Sequence, residues 1–132
     1  MKYLSEEWFE KVSVNICKLL NKPGKYSFSF VEVCEGRPGG EPDAWLMFNV
    51  DKGIVTKVTH GCGAVPAADL RAFGKYADHV RVCKKELDPK TAVVKDVFRI
   101  EKNIKTNPIM ILSFVSMYQA LVEAKQLPGV EY

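Results

Sequence analysis

At 132 residues, the chain is about the length of one domain, which excludes separate cofactor and substrate lobes. Apolar types make up 47% and charged types 27% and the mean hydropathy is -0.09, values that exclude disorder, collagen and fibre. Nineteen basic against sixteen acidic residues leave a net +3, too little and too dispersed to mark a polyanion-binding protein, so no nucleic-acid partner is expected.

Between Ser5 and Lys22, Trp8, Phe9, Val12, Ile16, Leu19 and Leu20 recur at three- and four-residue spacing, which predicts a helix over 5–22. Ser5 stands as its N-cap, Glu6 and Glu7 suit the positive first turn, and Pro23-Gly24 ends it. Tyr26-Ser-Phe28-Ser-Phe30 then alternates as a strand. The apolar phase switches at Val31 and Val33, so this strand either carries a bulge or is buried on both faces near its end. Glu35 to Asp43 is a loop rich in glycine and proline, and Ala44 to Val50 is a second strand, apolar on both faces. Asp51-Lys52-Gly53 turns the chain into a third, β-branched strand from Ile54 to His60.

Gly61 to Pro66 is a second loop and Asp69 to Phe73 a short fourth strand. Tyr76, Val80, Cys83 and Leu87 fall at helical spacing and predict a helix over 75–87. Asp88-Pro89 reads as an N-cap followed by an N1 proline and starts a short helix through Val94. Val97 to Glu101 alternates as a fifth strand. Asn107-Pro108 repeats the cap signal, and a long helix runs over 107–126 before Pro128-Gly129. This order is an α+β pattern in a single domain over 1–132, a five-stranded sheet over 25–101 with helices packed on one face.

Four cysteines, Cys17, Cys34, Cys62 and Cys83, in a chain long enough to bury a core read as reduced thiols. No basic-then-apolar leader opens the sequence and the last residues carry no lipidation or retention signal, so a cytoplasmic protein is expected. The longest apolar runs in the last third span about four residues, against the roughly 20 of a membrane-spanning helix.

The stretch Glu86-Leu-Asp-Pro-Lys-Thr-Ala-Val-Val-Lys-Asp-Val-Phe-Arg-Ile-Glu-Lys-Asn103 resembles the sterol carrier protein type 2 family. There a Leu-Asp-Pro turn opens a short helix, a strand follows, and an apolar C-terminal helix closes the fold. Ala68-Asp69, Trp45 and Asp51-Lys52-Gly53 are similar in order, and the resemblance covers residues 44–124. Where the family has glycines flanking the fifth strand, this chain has Asp96 and Lys102, and its loops at 35–43 and 61–67 are longer. The resemblance implies helices on one side of an α+β sheet and a tunnel between them that takes sterols, fatty acids or acyl-CoA.

The residues themselves point the same way. The last helix carries Ile109, Met110, Ile111, Leu112, Phe114, Val115, Met117, Tyr118, Leu121 and Val122, leaving a narrow polar stripe at Ser113, Ser116, Gln119 and Glu123. That is more apolar surface than one-sided contact with a sheet buries, so the helix must also meet other helices, a partner chain or a ligand. On the sheet, Phe28, Phe30, Leu46 and Phe48 share a phase, with Trp45 and Met47 sent to the opposite face. The candidate ligand-binding residues are therefore Phe28, Phe30, Leu46, Phe48, Met110, Phe114, Met117 and Leu121.

His60 with Cys62 and His79 with Cys83 make two His/Cys pairs, but the Cys-x-x-Cys spacing of a zinc site is absent, so no metal is expected. Cys62, between two glycines, would need His60 or His79 as a base, and no orienting acid or oxyanion hole is evident. Gly36-Arg-Pro-Gly-Gly40 lacks the Lys-Ser/Thr of a phosphate loop. Lys75, Arg81, Lys84 and Lys85 are candidates for anionic headgroups. The reading is a non-enzymatic, cofactor-free protein that binds or transfers a fatty acid, acyl-CoA, isoprenoid or sterol-like lipid in a tunnel between sheet and last helix, with transient membrane-surface contact. The alternative is a dimerising or partner-docking module with the tunnel closed.

Overall fold

A computed structural model describes residues 1–132. In chain order the elements are α1 (Glu6–Leu19), β1 (Phe28–Glu35), a 3-10 turn (Pro38–Gly40), β2 (Ala44–Asp51), β3 (Ile54–Cys62), β4 (Leu70–Lys75), α2 (Tyr76–Cys83), α3 (Pro89–Val94), β5 (Arg99–Lys102) and α4 (Pro108–Lys125). Three helices start on the caps their sequences carry. Ser5 accepts from the Trp8 amide, Asp88 from Thr91 and Asn107 from Met110, each satisfying a backbone donor that the first turn leaves open.

The five strands form one sheet in the order β3-β2-β1-β4-β5, with β1 antiparallel to β2 and parallel to β4. The central strand explains the phase switch in its sequence. Phe28, Phe30 and Cys34 pack into the main core under the helices, whereas Val31 and Val33 join Trp45, Met47, Val65, Ala68 and Phe73 on the opposite face. That face is covered by the β3–β4 crossover, which brings Val65 and Ala68 onto it. The strand is thus buried on both sides and has no bulge in its pairing with β2. The helices pack on the other face, an α+β arrangement as read from the sequence.

Several elements end differently from the periodicity. The first helix, expected to Lys22, ends at Leu19, because Leu20 leaves the helical conformation (φ -98, ψ 56) and Asn21 bridges to Ile54 of β3, and β3 and β4 run on to Cys62 and Lys75. The helix predicted over 75–87 stops at Cys83 because Lys85 adopts a left-handed conformation (φ 63), and the Glu86 and Leu87 amides fold back onto the Arg81 carbonyl. Leu87 keeps its apolar contact from the turn. The fifth strand starts at Arg99 rather than Val97, because the Val97 and Phe98 amides both bond the Ala92 carbonyl and finish α3 instead.

Close backbone approach fixes two glycines. Gly53 sits at φ 84 in the β2–β3 turn, where a Cβ would run into the Lys22 carbonyl oxygen. Gly74 in β4 lies against the Phe98 ring and His79 Nε2. Gly53→Ala should lower stability by about 1–3 kcal/mol from the backbone conformation alone, with the clash adding to it. A urea midpoint equal to wild type would contradict this packing.

The long helix is buried unevenly. From Tyr118 onward, Tyr118, Leu121, Val122, Ala124 and Lys125 are buried against α1, α2 and the sheet, while in the first half only Met110 is. Ile109 and Leu112 stand 62% and 69% exposed. Half of α4 is seated in the core, and half lies on its rim.

Candidate functional site

The exposed half of α4 has a groove along each flank. The first, about 370 Å³, runs between α4, α3 and β5. Leu70, Val93, Val94, Ile100, Met110, Ile111, Phe114 and Val115 supply apolar lining, and Lys90, Lys102 and Asp96 supply charge. The second, about 460 Å³, lies between α4, the end of α1 and the strand that follows it. Its lining includes Leu19, Leu20, Tyr26, Phe28, Val50, Leu112 and Met117, with Lys22 and Lys25 contributing charge. Both volumes are in the range of small-molecule sites. A bond from the Tyr26 hydroxyl to Asn107 Oδ1 (3.3 Å) joins the lining of the second groove to the N-cap of α4.

An aromatic wedge occupies the space beneath the helix. Phe114 packs on Phe30 at 5.6 Å between ring centroids, Phe30 on Phe48 at 5.3 Å, and Tyr118 on Phe30 at 6.3 Å. The eight sequence candidates therefore do not share one cavity. Met110 and Phe114 line the first groove, and Phe28 and Met117 the second. Phe30, Leu46, Phe48 and Leu121 are fully buried and line neither. Trp45 and Met47 lie on the far face of the sheet, as alternation requires. Not anticipated were the α3 and β5 residues of the first groove, Val93, Val94, Ile100, Lys90 and Lys102. Their signal was the exposed-looking Val93-Val94 pair after a proline-capped start, which one amphipathic turn does not need.

A second unanticipated feature is a buried ion pair. Glu32 projects from β1 in the same phase as Phe30 and Cys34, into the helix-facing core, where the Lys125 ammonium at the end of α4 donates to it. Both side chains are almost fully buried. Burial pushes the Glu32 carboxyl upward, but Lys125 and then His79 outweigh it, and its pKa ends below the usual value. Burial likewise opposes the charge on Lys125, and Glu32 more than compensates, raising its pKa. His79 packs beside them with Nδ1 3.9 Å from Glu32 and Nε2 3.0 Å from the Val33 carbonyl. A carbonyl only accepts, so Nε2 carries the proton and donates. Burial lowers the His79 pKa to about 4, with Glu32 opposing.

This cluster is closed to substrates. The cavity beside it, lined by Tyr3, Trp8, Glu32, Cys34 and His79, measures about 10 Å³, room for a single water molecule. Burial also pushes the neighbouring Cys34 thiol up to about 12, which removes its thiolate at neutral pH. The cluster ties α4 to β1.

The His/Cys pairs do not converge. His60 stacks on Phe9 (4.3 Å) and meets Glu6 at 3.1 Å, Cys62 lies near Arg37, and His79 and Cys83 are buried elsewhere. No group of three or more His, Cys, Asp or Glu side chains is arranged to hold a metal ion. On α2, Arg81 pairs with Asp78 at 3.6 Å, and Lys84 at its C-cap lies over the Tyr132 ring. A bond from Gln126 to the Val82 carbonyl places that helix at the buried end of α4, away from the grooves. No helix is long and apolar enough to cross a membrane.

No protein-family model matches the sequence, and no curated protein matches it. Solved structures do. The chain is similar to a crystal structure of sterol carrier protein 2, at TM-score 0.72 and 16% identity over 94% of this chain and 97% of that one. A conserved hypothetical protein of Thermus thermophilus, described as possibly a sterol carrier protein, superposes at TM-score 0.67 and 13% identity, over 96% of this chain and 89% of that one. A palmitated sterol carrier protein 2-like 2 from Aedes aegypti does so at TM-score 0.55 and 17% identity, over 86% and 95%. Identities this low speak to architecture alone, and the architecture they show for this chain is the sterol carrier protein 2-like α+β fold.

Proposed function

We propose that the chain binds and transfers a single-chain anionic lipid, a fatty acid or an acyl ester of it, in the first groove, without catalysis. The observation that carries this reading is the composition of that groove: Val93, Val94, Ile100, Met110, Ile111, Phe114 and Val115 around a cavity of about 370 Å³, with Lys90 and Lys102 among its lining residues. Each methylene removed from water contributes about 0.8 kcal/mol, so an acyl tail is held with little hydrogen bonding, and the ammonium groups suit a carboxylate or phosphate. The palmitated state of the Aedes aegypti protein supports an acyl chain over an isoprenoid or sterol-like ligand.

Of the sequence candidates, Met110 and Phe114 are assigned to this ligand. Phe28 and Met117 belong to the second groove, and Phe30, Leu46, Phe48 and Leu121 form the packed bed beneath. Displacement of a fluorescent fatty acid tests the assignment. Val115→Glu, which puts a charge into the first groove only, should weaken binding at least about 100-fold, whereas Met117→Glu, in the second groove, should leave it within about threefold. The reverse pattern would move the site to the second groove, and retention in both variants would remove it from α4.

The aromatic wedge beneath α4 also favours the alternative, a module whose tunnel is closed and whose surplus apolar surface binds another chain. A concentration-dependent dimer in sedimentation, with no fatty acid bound, would establish that alternative.

A further inference from the structure

We infer that the exposed half of α4 is a docking surface for an anionic lipid bilayer, with Ile109 and Leu112 as the inserting side chains. Both are more than half exposed, and Val94 on the neighbouring α3 is 75% exposed. A helix that buries Tyr118, Leu121 and Val122 so completely has no packing reason to leave its first two turns this apolar unless something covers them.

Charge names the cover. Six lysines border this end of the molecule: Lys22 and Lys25 in the groove that Leu112 lines, Lys90 and Lys102 in the groove that Ile111 and Val94 line, and Lys95 and Lys105 beside α3 and α4 in sequence. All six are exposed, and none is in an ion pair. Asp96 is the one carboxylate lining either groove. The positive end of the α4 dipole, capped by the neutral Asn107, adds to the same sign. A second copy of this chain fits poorly, because a two-fold contact through this patch would set six lysines against six lysines. An anionic bilayer satisfies both features: headgroups for the ammonium groups and an apolar layer for Ile109 and Leu112. Docking here would place the mouths of both grooves against the lipid. The inference does not depend on which groove, if either, holds a ligand.

Flotation with vesicles tests it. Binding to phosphatidylcholine vesicles containing about one third phosphatidylglycerol should exceed binding to pure phosphatidylcholine at least tenfold at low salt, and should fall steeply in about 1 M salt, where the Debye length is about 3 Å. Each lysine near such a surface contributes about fivefold. Lys95→Glu/Lys105→Glu should therefore lose at least about 25-fold, and Ile109→Ser should lose several-fold more than an exposed control such as Val14→Ser. None of these residues lines a groove, so fatty-acid displacement should stay at the wild-type level, which separates failure of docking from failure of the ligand site. Equal binding to both vesicle types, or full binding by Ile109→Ser, would overturn the inference. So would a dimer in sedimentation that Ile109→Ser abolishes, since a second copy would then own the face.

Discussion

Lys125→Met should destabilise the protein by about 3–5 kcal/mol, because it leaves the Glu32 carboxylate buried without its counter-ion. The double variant Glu32→Met/Lys125→Met should recover most of that loss, since a buried ion pair replaced by apolar groups of similar volume is often neutral in stability. Urea unfolding of the two single variants and the double gives the coupling directly. A Lys125→Met variant within about 1 kcal/mol of wild type would mean that the pair is solvated and that α4 is not anchored through it. The pair also bears on the grooves. It fastens the last turn of α4 to the central strand, while the first half lacks comparable burial, so local opening at the grooves need not disturb the core.

Stability should fall by about 3 kcal/mol as the pH is lowered from 6.5 to 4, with His79 as the main cause. The native pKa of His79 is about 4 because burial penalises the imidazolium, whereas the unfolded residue titrates near 6.5. Across that window the unfolded state binds the proton and the native state does not, so its contribution is complete above the unfolded value and is lost as pH falls toward 4. Glu32 acts in the same direction lower down. Its native pKa lies below the usual 4.5, so its contribution disappears as the medium becomes more acidic than that. His79→Gln, which keeps a donor for the Val33 carbonyl, should flatten the slope between pH 6.5 and 4 in urea titrations. A wild-type slope unchanged by this substitution would assign the acid sensitivity to other groups.

The fold class was readable because the deciding features are local. Strict alternation in Tyr26 to Phe30 set the helix-facing phase of β1, alternation across Ala44 to Val50 put Trp45 and Met47 on the far face, and Ser5, Asp88 and Asn107 each cap the helix they precede. The stop at Cys83 was not readable, since it turns on one left-handed residue, Lys85, that periodicity through Leu87 masks.

The site was legible in part. Excess apolar surface on α4 read as a helix that meets more than the sheet, and its first half lies exposed on the rim, but whether Phe114 lines a tunnel or fills it depends on how it meets Phe30, a tertiary contact across more than eighty residues of sequence. The lysines of the first groove come from α3 and β5, and nothing along the chain tells that these face Met110 and Val115. Glu32 and Lys125 left a faint local trace. Glu32 keeps the inward phase of Phe30 and Cys34, and Lys125 continues the stripe of Tyr118, Leu121 and Val122. Two charges of opposite sign on inward stripes are a signal that they meet.

Calorimetric titration of the delipidated protein with saturated fatty acids of increasing length tests the central claim most directly. Burial in the first groove predicts one-to-one binding that tightens about fourfold per added methylene until the groove is full and then levels off. Affinity independent of chain length, or no binding by any member of the series, would contradict it.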